Sequence, residues 1–131
     1  MNIKDLRIGN TVLFATTEAE VLGINPESIV YRYNDSVGNI TRECLLQGIA
    51  ALKLTKEHLR RFGFTLMNES EHTLNTYELD GFQLWDKKGD FSEVEFLTNR
   101  DSILIKSVHE LQNLFFALKG KELYLEKNNH E

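Results

Sequence analysis

The stretch S-V-H-E-L-Q-N-L-F-F-A-L-K-G-K-E-L, from Ser107 to Leu123, carries the strongest local structure signal in the chain. Ser107 is suited to cap a helix, because its hydroxyl can accept hydrogen bonds from the free N–H groups of the first turn. Glu110 predicts a reciprocal capping box and places negative charge at the positive end of the helix dipole. Gly120 supplies the left-handed residue that ends many helices. We therefore predict a helix from Val108 to Lys119.

Two stripes of side chains run along this helix at about 100° per residue. One stripe is apolar and wide enough to face a core. Its members are Val108, Leu111, Leu114, Phe115 and Leu118. The other places three hydrogen-bonding side chains beside an aromatic ring, which makes it a candidate recognition face. Its members are His109, Gln112, Asn113 and Phe116. In the alternative interpretation this second stripe is structural and its polar groups cap nearby backbone.

The length and composition indicate a single globular domain. A chain of 131 residues buries roughly two-thirds of its unfolded surface. The hydrophobic fraction of 41%, with eight Phe, four Tyr and one Trp, supports a compact core rather than disorder. We predict one domain over residues 1–131, with any subdomain seam near residue 52. Residues 1–52 would then form an N-terminal sheet, and residues 53–131 the rest.

Charge and cysteine content restrict the compartment and the partners. Fifteen basic and twenty acidic residues give a net charge of −5, which argues against a broad nucleic-acid-binding surface. Cys44 is alone and has no disulfide partner within the chain, as is typical of a reducing cytoplasm. Met1–Asp5 lacks the apolar region of a signal peptide, and the longest apolar run, Leu114–Leu118, is too short to span a bilayer. We therefore expect a cytoplasmic protein that does not bind membranes.

The N-terminal part alternates short strands with turns, which is typical of a small, strongly bent antiparallel sheet or barrel. The opening L-R-I-G-N-x-V, Leu6–Val12, looks like the first strand of SH3-like barrels. The segment Leu45–Leu54 is apolar but irregular, and we expect it to cover the sheet. The predicted strands are residues 11–15, 18–24, 28–33 and 40–43.

A short helix and a β-meander follow. Thr55 as N-cap and Gly63 as terminator predict a helix from Lys56 to Phe62. Asp80-Gly81 predicts a tight hairpin within the meander. We expect the C-terminal helix to lie across the apolar face of this meander, so the fold class is α+β. The predicted strands are residues 73–79, 82–86, 91–97, 103–105 and an edge strand at 122–125. A polar loop at 68–72 and a frayed tail at 127–131 complete the prediction.

One basic cluster stands out in the sequence, and we define it as the basic patch. Its members are Lys53, Lys56, Arg60 and Arg61. No aromatic residues are interleaved with them and no Gly-rich phosphate loop precedes them. A solvated helix face is therefore favoured over a phosphate-binding surface.

Residues for catalysis or metal binding do not form recognisable patterns. The four histidines and Cys44 have no metal-ligand spacing, so we expect no metal and no cofactor. Serine nucleophile elbows and nucleotide-binding loops are absent, so no catalytic residue is predicted. In an enzymatic or small-ligand site, His109 would be the acid or base, because only this member of its stripe changes charge near neutral pH. Tyr31 or Tyr33 would supply an opposing ring.

Three segments resemble a family of small uncharacterised bacterial proteins, whose members also occur in phages and other mobile elements. They are D-L-R-I-G-N (Asp5–Asn10), L-T-K-E-H-L-R-R-F-G-F (Leu54–Phe64) and V-H-E-L-Q-N-L-F-F-A-L-K-G-K-E-L (Val108–Leu123). The resemblance implies one compact cytoplasmic unit and an origin in a mobile element. It supplies no catalytic residue.

Taken together, these patterns favour a non-enzymatic binding module that contacts another protein, as an accessory or modulator from a mobile element. The first alternative is nucleic-acid binding through the basic patch. The second alternative is a small-ligand or enzymatic site around His109.

Overall fold

The structure, a computed structural model, describes residues 6–35, 37–68, 75–97 and 101–125. Within these ranges the fold is α+β, as predicted, with two antiparallel five-stranded sheets and two α-helices. The residues group into two compact units. The N-terminal unit comprises the described residues up to Lys53 together with Ser107–Glu122, and the meander unit comprises Leu54–Lys106 and the described residues from Leu123. The predicted loop beyond residue 68 and the predicted tail lie outside the described residues.

The N-terminal unit contains a five-stranded antiparallel sheet in the order β4-β3-β2-β1-β5. The first four strands lie close to the predicted ones. β5 was not predicted, because it has only two residues and follows a 3-10 turn at Leu46–Gly48. The strands are β1 Thr11–Phe14, β2 Thr17–Ile24, β3 Ser28–Asp35, β4 Gly38–Leu45 and β5 Ile49–Ala50.

The core of this sheet follows from strand alternation. Ile29 and Tyr31 lie on one face of β3 and are almost fully buried. The Tyr31 ring lies between two others, with centroid distances of 4.7 Å to Phe14 and 5.9 Å to Tyr33. The buried cluster consists of Leu6, Val12, Ala19, Val21, Ile29, Tyr31 and Ile49.

The C-terminal helix, α2, runs from Val108 to Lys119 with the predicted ends. Ser107 Oγ accepts from the Glu110 backbone N–H, and Gly120 adopts a left-handed φ of 68°. The predicted capping box is only half formed, because the Glu110 carboxylate accepts from the Ser107 hydroxyl instead of its backbone N–H. α2 groups with the N-terminal unit.

The buried face of α2 is rotated from the predicted apolar stripe toward the polar one. Leu111 and Phe115 are buried, but Leu118 is 53% exposed. His109 and Gln112, from the predicted recognition face, are instead buried. Hydrogen bonds to the N-terminal segment, described below, account for this rotation.

The meander unit contains helix α1 and a second antiparallel sheet in the order β10-β9-β8-β7-β6. Asp80 and Gly81 both have positive φ, as a type I′ turn requires, so the predicted hairpin is confirmed. β6 was not predicted, and the predicted edge strand at Glu122–Leu125 is absent. The elements are α1 Lys56–Phe62, β6 Thr65–Asn68, β7 Asn75–Leu79, β8 Phe82–Asp86, β9 Val94–Leu97 and β10 Ser102–Ile105.

Helix α1 begins with a reciprocal capping box in which histidine replaces the usual Glu or Gln. Thr55 Oγ1 accepts from the His58 backbone N–H at 3.3 Å, and His58 Nδ1 accepts from the Thr55 backbone N–H at 3.1 Å. Gly63 ends the helix at a φ of 98°, as predicted. The caps satisfy backbone groups at both ends of this seven-residue helix, and its buried side chains Leu59 and Phe62 hold it in the fold.

Asp86 anchors the loop between β8 and β9 from a fully buried position. Its two carboxylate oxygens accept from the Phe91 backbone N–H at 3.2 and 3.3 Å, and the N–H groups of Lys88 and Gly89 also donate to it. These bonds hold Phe91 at a φ of 62°, a conformation that bulky residues rarely adopt. Burial raises the pKa of Asp86 above its ordinary value, although the backbone N–H groups oppose this shift.

This shift predicts a pH-dependent contribution to stability. A carboxyl group whose pKa is raised by folding stabilises the folded state below its unfolded pKa of about 4, and this contribution disappears as the pH rises through the folded value. Asp86→Asn keeps an acceptor for the Phe91 N–H but cannot ionise. We expect the unfolding free energy of the natural protein, minus that of the variant, to fall as the pH rises from 3 to 7. Urea unfolding measures this difference, and a constant or rising difference would contradict the assignment.

Candidate functional site

The predicted recognition face on α2 holds the N-terminal segment in place, beginning with Gln112. This side chain is 1% exposed. Its Oε1 accepts from the Thr11 backbone N–H at 2.7 Å, and its Nε2 donates to Thr11 Oγ1 at 3.3 Å. The Gln112 amide therefore accepts one hydrogen bond from Thr11, the first residue of β1, and donates another to it.

Asn113 continues this pairing one residue further along the helix. Its Oδ1 accepts from Asn10 Nδ2 at 2.8 Å and from Arg7 Nε at 3.1 Å. Asn10 is itself fully buried, and its Oδ1 accepts from the Arg7 backbone N–H at 2.7 Å. One hydrogen bond within the turn Arg7–Asn10 therefore closes it, and two hydrogen bonds to Asn113 attach it to α2.

The Arg7 guanidinium completes the arrangement. Its Nη1 and Nη2 donate to the two carboxylate oxygens of Glu122, at 2.5 and 3.3 Å. Its Cζ lies 4.2 Å from the centroid of the Phe116 ring, within range of a cation–π contact. Arg7 therefore connects the N-terminal turn to both the helix and the segment that follows it.

His109 lies at the start of the same helix and is 5% exposed. Its Nδ1 is 3.1 Å from Ser107 Oγ, whose single proton is directed to the Glu110 carboxylate. Of the two rings proposed to oppose His109, Tyr31 is buried in the core of the sheet and Tyr33 is partly buried against that core.

The four predicted residues are thus neighbours, but their described contacts favour the structural interpretation of the stripe. We define Arg7, Asn10, Thr11, Gln112, Asn113 and Glu122 as the polar lock. Sequence reasoning did not single out its N-terminal half. The sequence feature that could have indicated it is the Gly9-Asn10 turn. In the structure Gly9 has a φ of 98° and Asn10 is buried.

The basic patch is divided between the two units. Lys53 belongs to the N-terminal unit, whereas the other three members lie on α1 in the meander unit. Arg60 donates to both carboxylate oxygens of Glu57, with Nε to Oε2 at 3.0 Å. Hydrogen bonding from Arg60 holds the pKa of Glu57 below its ordinary value. Glu57 therefore offsets part of the positive charge that the basic residues give to α1.

A pocket of about 390 Å³ lies beside α1, and we name it the α1 pocket. Its exposed wall comes from the helix and its apolar interior from Phe64 and the first two strands of the meander. Leu66 and Tyr77 are directly opposed across the β6–β7 ladder. Sequence reasoning missed this pocket because it did not predict β6. The lining residues are Lys56, Glu57, Arg60, Phe64, Leu66 and Tyr77.

Aromatic contacts fix the interior of the α1 pocket. The Tyr77 ring meets Phe91 edge to face at 5.6 Å, and the Phe64 ring meets Phe82 at 6.2 Å. Both lining rings are thereby held in defined positions. The fold places them beside Lys56 and Arg60, although the sequence does not interleave aromatic and basic residues there.

Comparisons of the chain with protein-family models, curated proteins and solved structures found no match. Among the described residues, no group of three or more His, Cys, Asp or Glu side chains is arranged to hold a metal ion. No helix in the described ranges is long and apolar enough to cross a membrane.

The polar lock predicts that Asn113 acts mainly as a hydrogen-bond acceptor. Asn113→Ala leaves the buried Asn10 amide without this acceptor, so we expect the unfolding free energy to fall by about 1–3 kcal/mol. Asn113→Asp retains an oxygen for both donors and should remain closer to the natural protein. Chemical denaturation measures both effects. An Asn113→Ala variant as stable as the natural protein would show that the Asn113 side chain does not hold the N-terminal segment.

Proposed function

We propose that this protein is a non-enzymatic binding module that contacts another protein through the α1 pocket. The pocket itself is the observation that carries the proposal. Its volume falls within the range of about 300–1,000 Å³ typical of ligand sites. Protein interfaces likewise concentrate binding energy where one large side chain fills such a pocket.

The chemistry of the α1 pocket supports binding rather than catalysis. Its ionisable groups, apart from Tyr77, are Lys56, Glu57 and Arg60, all of them solvent-exposed. Glu57 and Arg60 hydrogen-bond to each other, and the lining of the pocket includes no Ser, Thr, Cys or His side chain. A catalytic centre generally needs an activated nucleophile or a buried acid or base aimed at the substrate. The lining side chains provide neither arrangement.

The topology of the N-terminal unit supports an SH3-like assignment as part of this proposal. β5 pairs with β1, the sheet order is β4-β3-β2-β1-β5, and a 3-10 turn precedes β5. Small antiparallel sheets with this strand order serve as binding modules in many unrelated proteins, which is an argument by analogy of fold. The sequence resemblance supports a cytoplasmic accessory role in a mobile element.

The proposal predicts that filling the α1 pocket abolishes partner binding. Leu66→Trp places a larger ring in the pocket, whereas Met67→Trp changes the next residue, which is 55% exposed and does not line it. In pull-downs from the native host followed by mass spectrometry, we expect a specific partner with the natural protein and with Met67→Trp. We expect its loss with Leu66→Trp.

Two results would contradict this prediction. Failure of the natural protein to recover any specific partner at good expression would count against the binding-module proposal. Equal recovery with both tryptophan variants would preserve protein binding but exclude the α1 pocket as its site. As a control, unfolding curves of the two tryptophan variants test whether both remain folded.

Nucleic-acid binding through α1 is the second candidate, because aromatic rings lie beside Lys56 and Arg60. The engagement of Arg60 by Glu57 and the net charge of −5 weigh against it.

A mobility-shift titration separates the two candidates. Under the leading proposal we expect no complex with a single-stranded oligonucleotide at low salt, even at high micromolar protein. A complex that weakens steeply with salt and is lost in Lys56→Gln/Arg60→Gln would instead favour the nucleic-acid function.

A further inference from the structure

The α1 pocket combines an apolar interior with cationic groups at its exposed wall. Phe64 and Tyr77 are 6% and 4% exposed and, with Leu66, form the interior. Lys56 and Arg60 line the same pocket from the exposed side of α1. A ligand that joins a large apolar group to an anionic group complements both parts.

Glu57 shows how Arg60 receives a carboxylate. Two guanidinium nitrogens of Arg60, Nε and Nη2, donate to the two Glu57 oxygens in the planar, two-point geometry that arginine uses for carboxylates. The Arg60 and Glu57 side chains are 65% and 49% exposed, so solvent screens the pair and keeps it weak. An incoming carboxylate can therefore displace Glu57 at little cost.

We infer that the α1 pocket binds an acidic segment of the partner protein. One large apolar side chain of that segment enters the pocket, and the carboxylate of an adjacent residue replaces Glu57 at Arg60. Lys56 adds a second positive charge beside this carboxylate. Glu57 then competes with the incoming carboxylate for Arg60 and lowers the affinity for the acidic segment. This inference rests on the proposed function, since the ligand is part of the partner protein.

Matched peptides test the inference with the full chain. The probes are fluorescein-labelled hexapeptides whose central pair is Leu, Phe or Trp followed by Asp. Each has one counterpart with Asn in place of Asp and another with Ala in place of the apolar residue. By fluorescence anisotropy, we expect the Asp peptides to bind about three- to tenfold more tightly than the Asn peptides. The Ala peptides should lose most of the binding, because the pocket is then unfilled.

Three variants assign this preference to named groups. Glu57→Gln removes the competitor, so we expect about two- to threefold tighter binding of Asp peptides and no change for Asn peptides. Arg60→Gln should remove most of the preference for Asp and leave only the part that Lys56 contributes. Arg61→Gln is the matched control, because it makes the same change on the next residue of α1, which does not line the pocket.

Several outcomes would overturn the inference. They are absence of binding by every peptide, equal affinity for Asp and Asn peptides, and no gain for Asp peptides in Glu57→Gln. If these occur while Leu66→Trp still abolishes partner recovery, the binding module stands and only the acidic ligand is wrong. If the natural protein recovers no partner, the proposed function itself fails, whatever the peptides do.

Discussion

The hydrogen bonds between the Gln112 side chain and Thr11 are the constraint on which the N-terminal unit depends. Both residues are buried, so an unpaired amide or backbone N–H there would cost about 1–3 kcal/mol. A helix turned by one residue would lose these bonds together with those of Asn113. The polar lock therefore fixes the rotation of α2 about its axis, and the apolar Leu118 is left exposed as a consequence.

The polar lock also shows which parts of the fold local sequence patterns can predict and which they cannot. Caps and terminators lie within a few residues of the helices they define, so the ends of both helices and the Asp80-Gly81 hairpin were predictable. The partner of α2 was not, because an apolar stripe indicates only that some surface covers it. Arg7 and Asn113 are 106 residues apart, and no periodicity within α2 specifies a contact over that distance.

Only the basic residues of the α1 pocket could be recognised from the sequence, because its apolar interior also depends on contacts between distant segments. Its basic residues form a cluster along one helix and were recognised as such. Its apolar interior depends on β6, whose short segment T-L-M-N shows no clear alternation and becomes a strand by pairing with β7. Tyr77 therefore reaches the pocket through sheet register, which a single strand pattern does not reveal. The same limit hid β5, which has two residues and pairs with β1.

The polar groups of the two units differ in burial and in the partners they bond to, and this contrast supports the proposed binding surface on α1. In the polar lock, Gln112 and Asn113 bond to groups of the same unit that are themselves buried or half-buried, so a ligand would have to break the fold to reach them. On α1, Glu57 and Arg60 bond to each other in solvent, where exchange for another carboxylate costs little. Their pairing lies beside an apolar pocket whose rings are already held in place by Phe82 and Phe91. A preformed interior with exchangeable charges at its wall is suited to recognition, whereas the polar lock is suited to holding a helix.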